Sequence, residues 1–165
     1  ATLGLPLVEL DTIERIDCLV DGADQVAPDL AMIKGRGGAL TREKKLAAIA
    51  AQRIYAIDSG KQVPVLGNGW LPLEVLTYGW RFTLAAIARA IGGEVRVREA
   101  GGAPLRSDNG NYLADGRVGA IADPLALERA LRAIPGVIET GLFVGYADLV
   151  IVSDGESVTV KLTPS

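Results

Sequence analysis

Two short apolar runs with a helix-forming stretch between them constrain the fold of this chain more than any other feature. The first run, residues 16–20, leads into Asp21, and the second, residues 54–57, leads into Asp58. Short runs that are apolar throughout are typical of strands in a parallel sheet, which is covered on both faces. The stretch between them, residues 39–52, has an apolar stripe at helical spacing. The order strand, helix, strand predicts an α/β fold, and we expect the first strand to be buried on both faces.

In the rest of the chain, the sequence predicts further strands and two more helices, and its composition changes near residue 70. Gly, Asn, Pro and Trp cluster at residues 67–73. We predict helices at residues 77–91 and 123–134, and strands at residues 5–10, 94–99, 137–141, 149–153 and 157–162. The fold class is therefore a mostly parallel Rossmann-like sheet with an inserted smaller α+β lobe. Residues 1–70 and 148–165 would form the body, and residues 71–147 the lobe.

The composition excludes several classes of chemistry. Histidine is absent, which rules out Ser-His-Asp and Cys-His catalysis and most zinc sites. The single cysteine, Cys18, cannot form an internal disulfide, and we interpret it as a buried strand residue. A net charge of −3 argues against nucleic acid as a partner. No apolar run is long enough to span a bilayer and no signal peptide is recognisable, so the cytoplasm is the default location.

Two groups of residues between positions 21 and 38 have the composition of a ligand site. Asp21 and Asp24 flank two small residues at the predicted end of a strand, where open α/β sheets place their sites. A capping turn would explain this tetrapeptide by itself. The glycine-rich residues 34–38 precede a helix, whose N-terminal amides can hold an anion or an oxygen that becomes negative during a reaction.

Glu43 follows in the first turn of that helix. A glutamate there often serves only the helix dipole, and we expect the dipole and the nearby Arg42, Lys44 and Lys45 to favour its charged form. A carboxylate that faces a loop of donors is also what enolisation beside a carbonyl requires. The pattern therefore indicates a base, a cradle for an oxyanion, a cation and two carboxylates in one stretch. Outside it, Arg96 and Arg98 alternate on a predicted strand, and we interpret them as a solvated face.

Several motifs occur in an order that matches one enzyme family. They are Asp21-Gly22-Ala23-Asp24, Lys34-Gly35-Arg36-Gly37-Gly38-Ala39-Leu40-Thr41-Arg42-Glu43-Lys44, Ser59-Gly60-Lys61-Gln62, Leu71-Pro72-Leu73-Glu74-Val75, Ser107-Asp108-Asn109-Gly110-Asn111, Ile134-Pro135-Gly136-Val137 and Gly141-Leu142-Phe143. This series resembles the type A ribose-5-phosphate isomerases from about residue 5 to the end of the chain. The resemblance implies an enzyme that interconverts an aldose phosphate and a ketose phosphate without metal or organic cofactor.

The resemblance also implies a role for each matching position. Glu43 would be the general base that moves a proton between C1 and C2 of the sugar. Asp21, Asp24 and Lys34 would line the site and assist ring opening, and Lys61 would help to place the substrate. The expected substrate-binding set is Asp21, Gly22, Ala23, Asp24, Lys34, Gly35, Arg36, Gly37, Gly38 and Lys61. The expected partners are a pentose phosphate and further copies of the chain, as a homodimer or homotetramer.

Three departures from the family pattern concern the site. Arg36 stands where the family usually has glycine, and Gln25 stands where an acid is common. The family also carries an N-terminal segment with a Gly/Ser/Thr loop for the substrate phosphate, and this sequence has no such loop. We therefore expect the chain to be incomplete at its N-terminus and to be a poor catalyst alone. Two alternatives remain: a non-catalytic sugar-phosphate sensor, and a fragment whose role is structural.

Overall fold

The computed structural model describes residues 4–162, which form thirteen strands, three α-helices and two short 3₁₀ helices. The helices are α1 (Leu40–Ile49), α2 (Trp80–Ile91) and α3 (Pro124–Arg132). The strands are β1 (Ile16–Asp21), β2 (Gln25–Val26), β3 (Met32–Ile33), β4 (Ala50–Asp58), β5 (Gly67–Val75), β6 (Val95–Val97), β7 (Glu99–Ala100), β8 (Ala103–Pro104), β9 (Tyr112–Ala120), β10 (Val137–Thr140), β11 (Leu142–Phe143), β12 (Leu149–Ser153) and β13 (Val158–Leu162). None of the helices in this part of the chain has the length and apolarity needed to cross a membrane.

The sheet that carries the predicted site has the order β1-β4-β12-β13. Strand β4 pairs in parallel with both β1 and β12, and β13 adds an antiparallel edge. Helix α1 connects β1 to β4 along the chain, so the strand-helix-strand expectation is confirmed. The carboxyl ends of the three parallel strands lie at one edge of the sheet, the position where open α/β sheets bind ligands.

A second sheet is antiparallel throughout and has the order β10-β5-β9-β6. Helices α2 and α3 pack near it, and its apolar side chains form one buried cluster with them. Strands β11, β3 and β2 form a small sheet next to the glycine-rich loop. The mixed α/β class predicted from the sequence is confirmed.

The division of the chain into a body and a lobe stays a prediction. Strand β5 runs from residue 67 to residue 75 and so continues across the predicted boundary at residue 70. Strand β11, from the predicted lobe, pairs with β3 from the predicted body. Residues 1–3 and 163–165, which the predicted body includes, lie outside the described residues.

The burial expected for the first strand is wrong. No residue of strand β1 is fully buried: Leu19 is partly buried against the core, and Cys18 and Val20 on the opposite face are exposed. The same face of the sheet continues to Val160 and Leu162 on β13, which are 57% and 68% exposed. The apolar residues 16–20 therefore predicted a strand correctly, but their composition alone does not show whether both faces of that strand are covered.

Two other local expectations also differ from the structure. Residues 5–10 do not form a strand: Pro6 lacks the N–H needed for pairing, and Leu5 and Leu7 are 73% and 98% exposed. Helix α1 ends at Ile49 rather than near residue 52, because Ala50 already pairs with β1. Here strand pairing overrides the helical propensity of the alanines.

Candidate active site

The centre of the candidate site is the ammonium group of Lys34, which lies just after β3. Its side chain is only 3% exposed, and Nζ is 2.8 Å from Asp21 Oδ2 and 3.3 Å from Glu43 Oε2. Nζ also donates to the carbonyl oxygen of Gly22. The backbone N–H of Lys34 donates to Gly141 O at 2.9 Å, which fixes the strand end that carries the lysine.

Two aromatic rings cover the base of this cluster. Lys34 Nζ is 5.3 Å from the centroid of the Tyr55 ring and 5.5 Å from that of Phe143, both within reach of a cation–π contact. Both rings are fully buried, and burial raises the pKa of the Tyr55 phenol. Sequence reasoning did not single out either residue, because each lies inside an apolar run that is also typical of ordinary core.

Burial raises the pKa of Glu43, whereas the sequence predicted that its charged form would be favoured. Its pKa is raised, chiefly by desolvation; Lys34 acts in the opposite direction, and the carboxylates of Asp21 and Asp24 raise it further. The expected support from Lys44 is wrong, because that side chain extends to the other side of α1 and pairs with acids there. A carboxyl whose pKa moves toward neutrality is a stronger base when it is ionised.

Glu43 also keeps unused hydrogen-bonding capacity. Its Oε2 is buried and, within residues 4–162, accepts no well-aligned hydrogen bond; its charged neighbour is Lys34 Nζ at 3.3 Å. A buried oxygen with an ion pair but no hydrogen bond is incompletely satisfied, because its lost hydration is not fully replaced. A base that must accept a proton from a substrate requires this kind of available acceptor.

The glycine-rich loop supplies backbone donors beside these side chains. Gly35 and Gly38 have φ values of 107° and 90°, and a Cβ on Gly35 would lie 2.9 Å from Leu40 Cβ. Both positions therefore require glycine. Arg36 is not among the non-glycine residues with positive φ in the described chain, so an arginine there is not strained. Its backbone N–H donates to Asp24 Oδ2 at 3.0 Å.

Nine of the eleven predicted site residues line one cavity of about 220 Å³. They are Asp21, Gly22, Ala23, Asp24, Lys34, Gly35, Arg36, Gly37 and Glu43. Gly38 is buried behind the loop, where a Cβ would meet Leu113 at 2.7 Å. Lys61 lines a neighbouring cavity of about 590 Å³, which shares Gly22 and Ala23 with the first.

The larger cavity adds residues that the sequence reasoning missed. Ser153 ends β12, and Asp154 and Gly155 follow it; they line this cavity together with Asp58, the last residue of β4, and Lys61. The sequence placed Asp154 and Gly155 between the predicted strands 149–153 and 157–162 and gave them no role in the site. The signal that would have found them is their position after the third parallel strand, at the same edge as the other two strand ends.

The described residues contain no group of three or more His, Cys, Asp or Glu side chains placed to hold a metal ion. The expectation that the protein uses no metal or organic cofactor stays a prediction. What the cluster itself can do is acid–base chemistry on a small anionic or polar ligand, with Glu43 as acceptor and Lys34 and loop amides as donors.

The fold and the cluster together define an α/β enzyme class with an acid–base site at the carboxyl edge of a parallel sheet. The family model described as ribose 5-phosphate isomerase A (phosphoriboisomerase A) matches residues 1–157. The chain belongs to the ribose 5-phosphate isomerase A family. The family resemblance inferred from the motifs is therefore confirmed, and the protein is an isomerase of this class.

Relatives and solved structures agree over nearly the whole chain. The ribose-5-phosphate isomerase A of Gloeobacter violaceus is 48% identical over 98% of this chain and 70% of its own length. A D-ribose-5-phosphate isomerase solved in complex with phospho-erythronic acid superposes with a TM-score of 0.91 at 38% identity, over 96% of this chain and 70% of that one. The ribose 5-phosphate isomerase of Plasmodium falciparum gives a TM-score of 0.91 at 31% identity, over 98% and 72%.

Proposed function

We propose that this protein interconverts D-ribose 5-phosphate and D-ribulose 5-phosphate through an enediolate, with Glu43 as the proton shuttle. One observation carries the proposal. The buried Glu43 Oε2 has no hydrogen bond among the described residues, its carboxyl has a raised pKa, and it lies in a cavity bordered by Lys34 and the amides of the glycine-rich loop. A glutamate with a purely structural role would be expected to have this buried oxygen hydrogen-bonded, whereas in the described chain it has the 3.3 Å ion pair with Lys34 and no hydrogen bond.

The proposed reaction is balanced within the sugar and one carboxylate. Glu43 takes the proton from C2 of the open-chain aldose, a C1–C2 double bond forms, and the carbonyl electron pair moves to O1. The O2 proton passes to O1, which leaves the negative charge on O2. The carboxyl then returns its proton to C1, where the C1–C2 double-bond pair forms the new C–H bond and the O2 electron pair forms the ketose carbonyl. Lys34 and the N–H of Gly37 would stabilise the negative oxygen, and this stabilisation is strongest in the transition state.

We propose that the two adjoining cavities divide the substrate between them. The cavity at Glu43 would take the C1–C2 end, and the larger cavity with Lys61 would take the phosphorylated end. The structural relative bound to phospho-erythronic acid supports a substrate of this class, because that acid carries a phosphate on a short hydroxylated carbon chain, as a pentose phosphate does. A homodimeric or homotetrameric state and a cytoplasmic location stay predictions from the family.

The test is an isomerase assay in D₂O with ribose 5-phosphate. We expect ribulose 5-phosphate to form with deuterium at C1, because a proton held on a carboxyl exchanges with solvent before it returns. The assay is run on this chain and on the chain joined to the N-terminal segment of the Gloeobacter violaceus relative, since we expect the former to be slow. Binding of the sugar phosphate by both proteins without turnover in either would refute the proposal and favour the sensor alternative.

A further inference from the structure

Arg98 occupies a position that its sequence context did not indicate. It lies between β6 and β7, and its side chain is 15% exposed, so the expectation of a solvated residue is wrong. Its guanidinium forms a bidentate pair with Asp115 on β9: Nε is 2.9 Å from Oδ2, and Nη2 is 2.7 Å from Oδ1. Two parallel hydrogen bonds of this kind fix the plane of the guanidinium.

The third nitrogen of the same group reaches the glycine-rich loop. Arg98 Nη1 donates to the carbonyl oxygen of Gly35 at 3.1 Å and to that of Arg36 at 3.0 Å. These two oxygens belong to consecutive peptide units of the loop that borders Glu43. Because Asp115 holds the guanidinium, the two contacts tie the orientation of both peptide planes to β9.

The orientation of these carbonyls decides where the loop amides point. In a trans peptide the C=O of one residue and the N–H of the next point in opposite directions, and the described chain has no cis peptide bond. The N–H groups of Arg36 and Gly37 therefore point away from Arg98. The first donates to Asp24 Oδ2, which lies in the cavity wall. The second has no hydrogen-bond partner within residues 4–162, and Gly37 lines the same cavity.

We propose that Arg98, held by Asp115, is a positioning residue that keeps the Arg36 N–H on Asp24 and the N–H of Gly37 turned into the cavity, toward the reacting sugar oxygen. The loop needs such a restraint because Gly37 has no steric limit of its own: a Cβ there would meet no atom within 4 Å. If the loop were flexible, the cost of reorienting its amides during the reaction would offset part of the stabilisation that they give the enediolate. The proposal rests on the proposed isomerase function for the identity of that oxygen.

The kinetic test compares Arg98→Lys with Arg96→Lys. A lysine at position 98 can keep an ion pair with Asp115 but cannot bind Asp115 and two carbonyls in one plane. Removal of a single oxyanion donor typically costs about 10²- to 10³-fold in kcat, so a misoriented loop should lower kcat by roughly 10- to 100-fold with KM changed much less. Arg96, two residues earlier, stacks 4.0 Å from the Trp70 ring and does not contact the loop, so its variant should retain the wild-type kcat.

A second measurement does not depend on turnover. In ¹H–¹⁵N spectra, Arg98→Lys should move the amide resonances of Gly37 and Arg36 and speed the solvent exchange of the Arg36 N–H, whereas Arg96→Lys should leave both unchanged. Asp115→Asn, which keeps one hydrogen bond to the guanidinium, should give smaller changes of the same kind in kcat and in these resonances.

The two measurements separate failure of the positioning role from failure of the proposed function. Loop resonances that stay at their wild-type positions in Arg98→Lys would overturn the positioning role, as would a wild-type kcat in that variant. A uniform loss of folded protein, with normal kcat per folded molecule, would also overturn it and assign the pair to stability. Absence of turnover in the wild-type protein would refute the isomerase reaction, and the loop resonances would then decide alone whether Arg98 orients the amides.

Discussion

Helix α1 separates two buried lysines that have similar partners and different surroundings. Lys34 and Lys44 are each 3% exposed, and each has two carboxylates within reach. The ring of Phe143 lies between them, 5.5 Å from one ammonium and 4.9 Å from the other. Adjacent residues of one helix, Glu43 and Lys44, belong to opposite clusters, because neighbours along a helix point about 100° apart.

The two clusters differ in how completely their charges are satisfied. Lys44 Nζ is 2.8 Å from both Glu128 Oε1 and Glu139 Oε1, and Glu139 also accepts from Arg132 at 2.5 Å and from the N–H of Thr140 at 2.8 Å. At Lys34, by contrast, the two carboxylates are each 26% exposed, and one Glu43 oxygen has no hydrogen bond in the described chain. We call Lys44, Glu128, Glu139 and Arg132 the closed cluster, which joins α1 to α3 and β10. We call Lys34, Asp21 and Glu43 the open cluster, which faces a cavity and can exchange a proton with a ligand.

The largest effect should follow from removal of the open cluster's base. Glu43→Gln keeps the size of the side chain and its contact with Lys34 but cannot accept a proton from carbon. General-base catalysis contributes about 10²- to 10⁴-fold, so kcat should fall by that factor, while the unfolding temperature should change little, because the amide keeps the shape of the side chain and Lys34 keeps its ion pair with Asp21. Measurement of turnover and thermal unfolding on the same sample checks both. Turnover within threefold of wild type would contradict the assignment of the base.

The closed cluster should respond in stability rather than in chemistry. Lys44→Met leaves Glu128 without its ammonium partner and Glu139 with Arg132 alone, and the loss of one member of a buried pair costs about 3–5 kcal/mol. The free energy of unfolding from urea titration measures this cost. Lys45→Met, at the exposed neighbouring position, is the control and should change little. A second change, Glu128→Gln in the Lys44→Met background, should recover part of the loss; no recovery would mean that the cost is not electrostatic.

A third buried charge links the helix that carries the base to the antiparallel sheet. Glu74 is fully buried and accepts hydrogen bonds from Thr41 Oγ1 at 2.5 Å, Ser107 Oγ at 2.8 Å and Asn111 Nδ2 at 2.8 Å. Burial by itself would raise the pKa of Glu74, but these bonds, with one from Asn109, together outweigh it and lower the pKa. Thr41 is in the first turn of α1, so this network holds the start of the helix.

Glu74→Gln should therefore destabilise the protein by about 1–3 kcal/mol at neutral pH. Because the folded-state pKa is lowered, the stabilisation by the charge is present above the pKa of an unfolded glutamate and is lost as pH falls through the folded-state value. The difference between wild type and variant should thus shrink on acidification. Urea titrations at several pH values test this, with the exposed Glu94→Gln as control. A difference that stays constant with pH would show that the ionised form of Glu74 is not what stabilises the fold.

The sequence predicted the elements of the open cluster better than their environment. The strand ending at Asp21, the glycine-rich loop and Glu43 in the first turn of α1 could be recognised because each depends on local pattern and on the edge where parallel strands end. The raised pKa of Glu43 could not, because it depends on burial and on Asp21 from another element. The charged residues next to Glu43 in the sequence therefore did not predict the electrostatic environment of its carboxyl group.

The contacts between distant elements were also beyond the sequence. Arg98 appeared as one of two alternating surface arginines, and only the pairing of β6 with β9 shows that Asp115 and the loop carbonyls surround it. The closed cluster likewise joins residues 84 and 95 positions apart. Alternation along a strand predicts which residues share a face. Strand β6 ends at Val97, so alternation does not determine the direction in which the Arg98 side chain points.

The smallest expected effect is a shift of the acid limb of the pH–rate profile. The base must be ionised to accept a proton, so kcat/KM should fall as pH drops through the pKa of Glu43, and that limb should lie above the position given by an ordinary glutamate, because burial raises this pKa. Asp21→Asn removes a carboxylate that raises the pKa and frees Lys34 to pair with Glu43; both effects should move the limb to lower pH, whatever happens to the maximal rate. Asp17→Asn, near the start of the same strand where the side chain is 76% exposed, should leave the limb in place. A limb that moves to higher pH in Asp21→Asn, or that shifts equally in both variants, would mean that the group titrating in the profile is not the carboxyl beside Lys34.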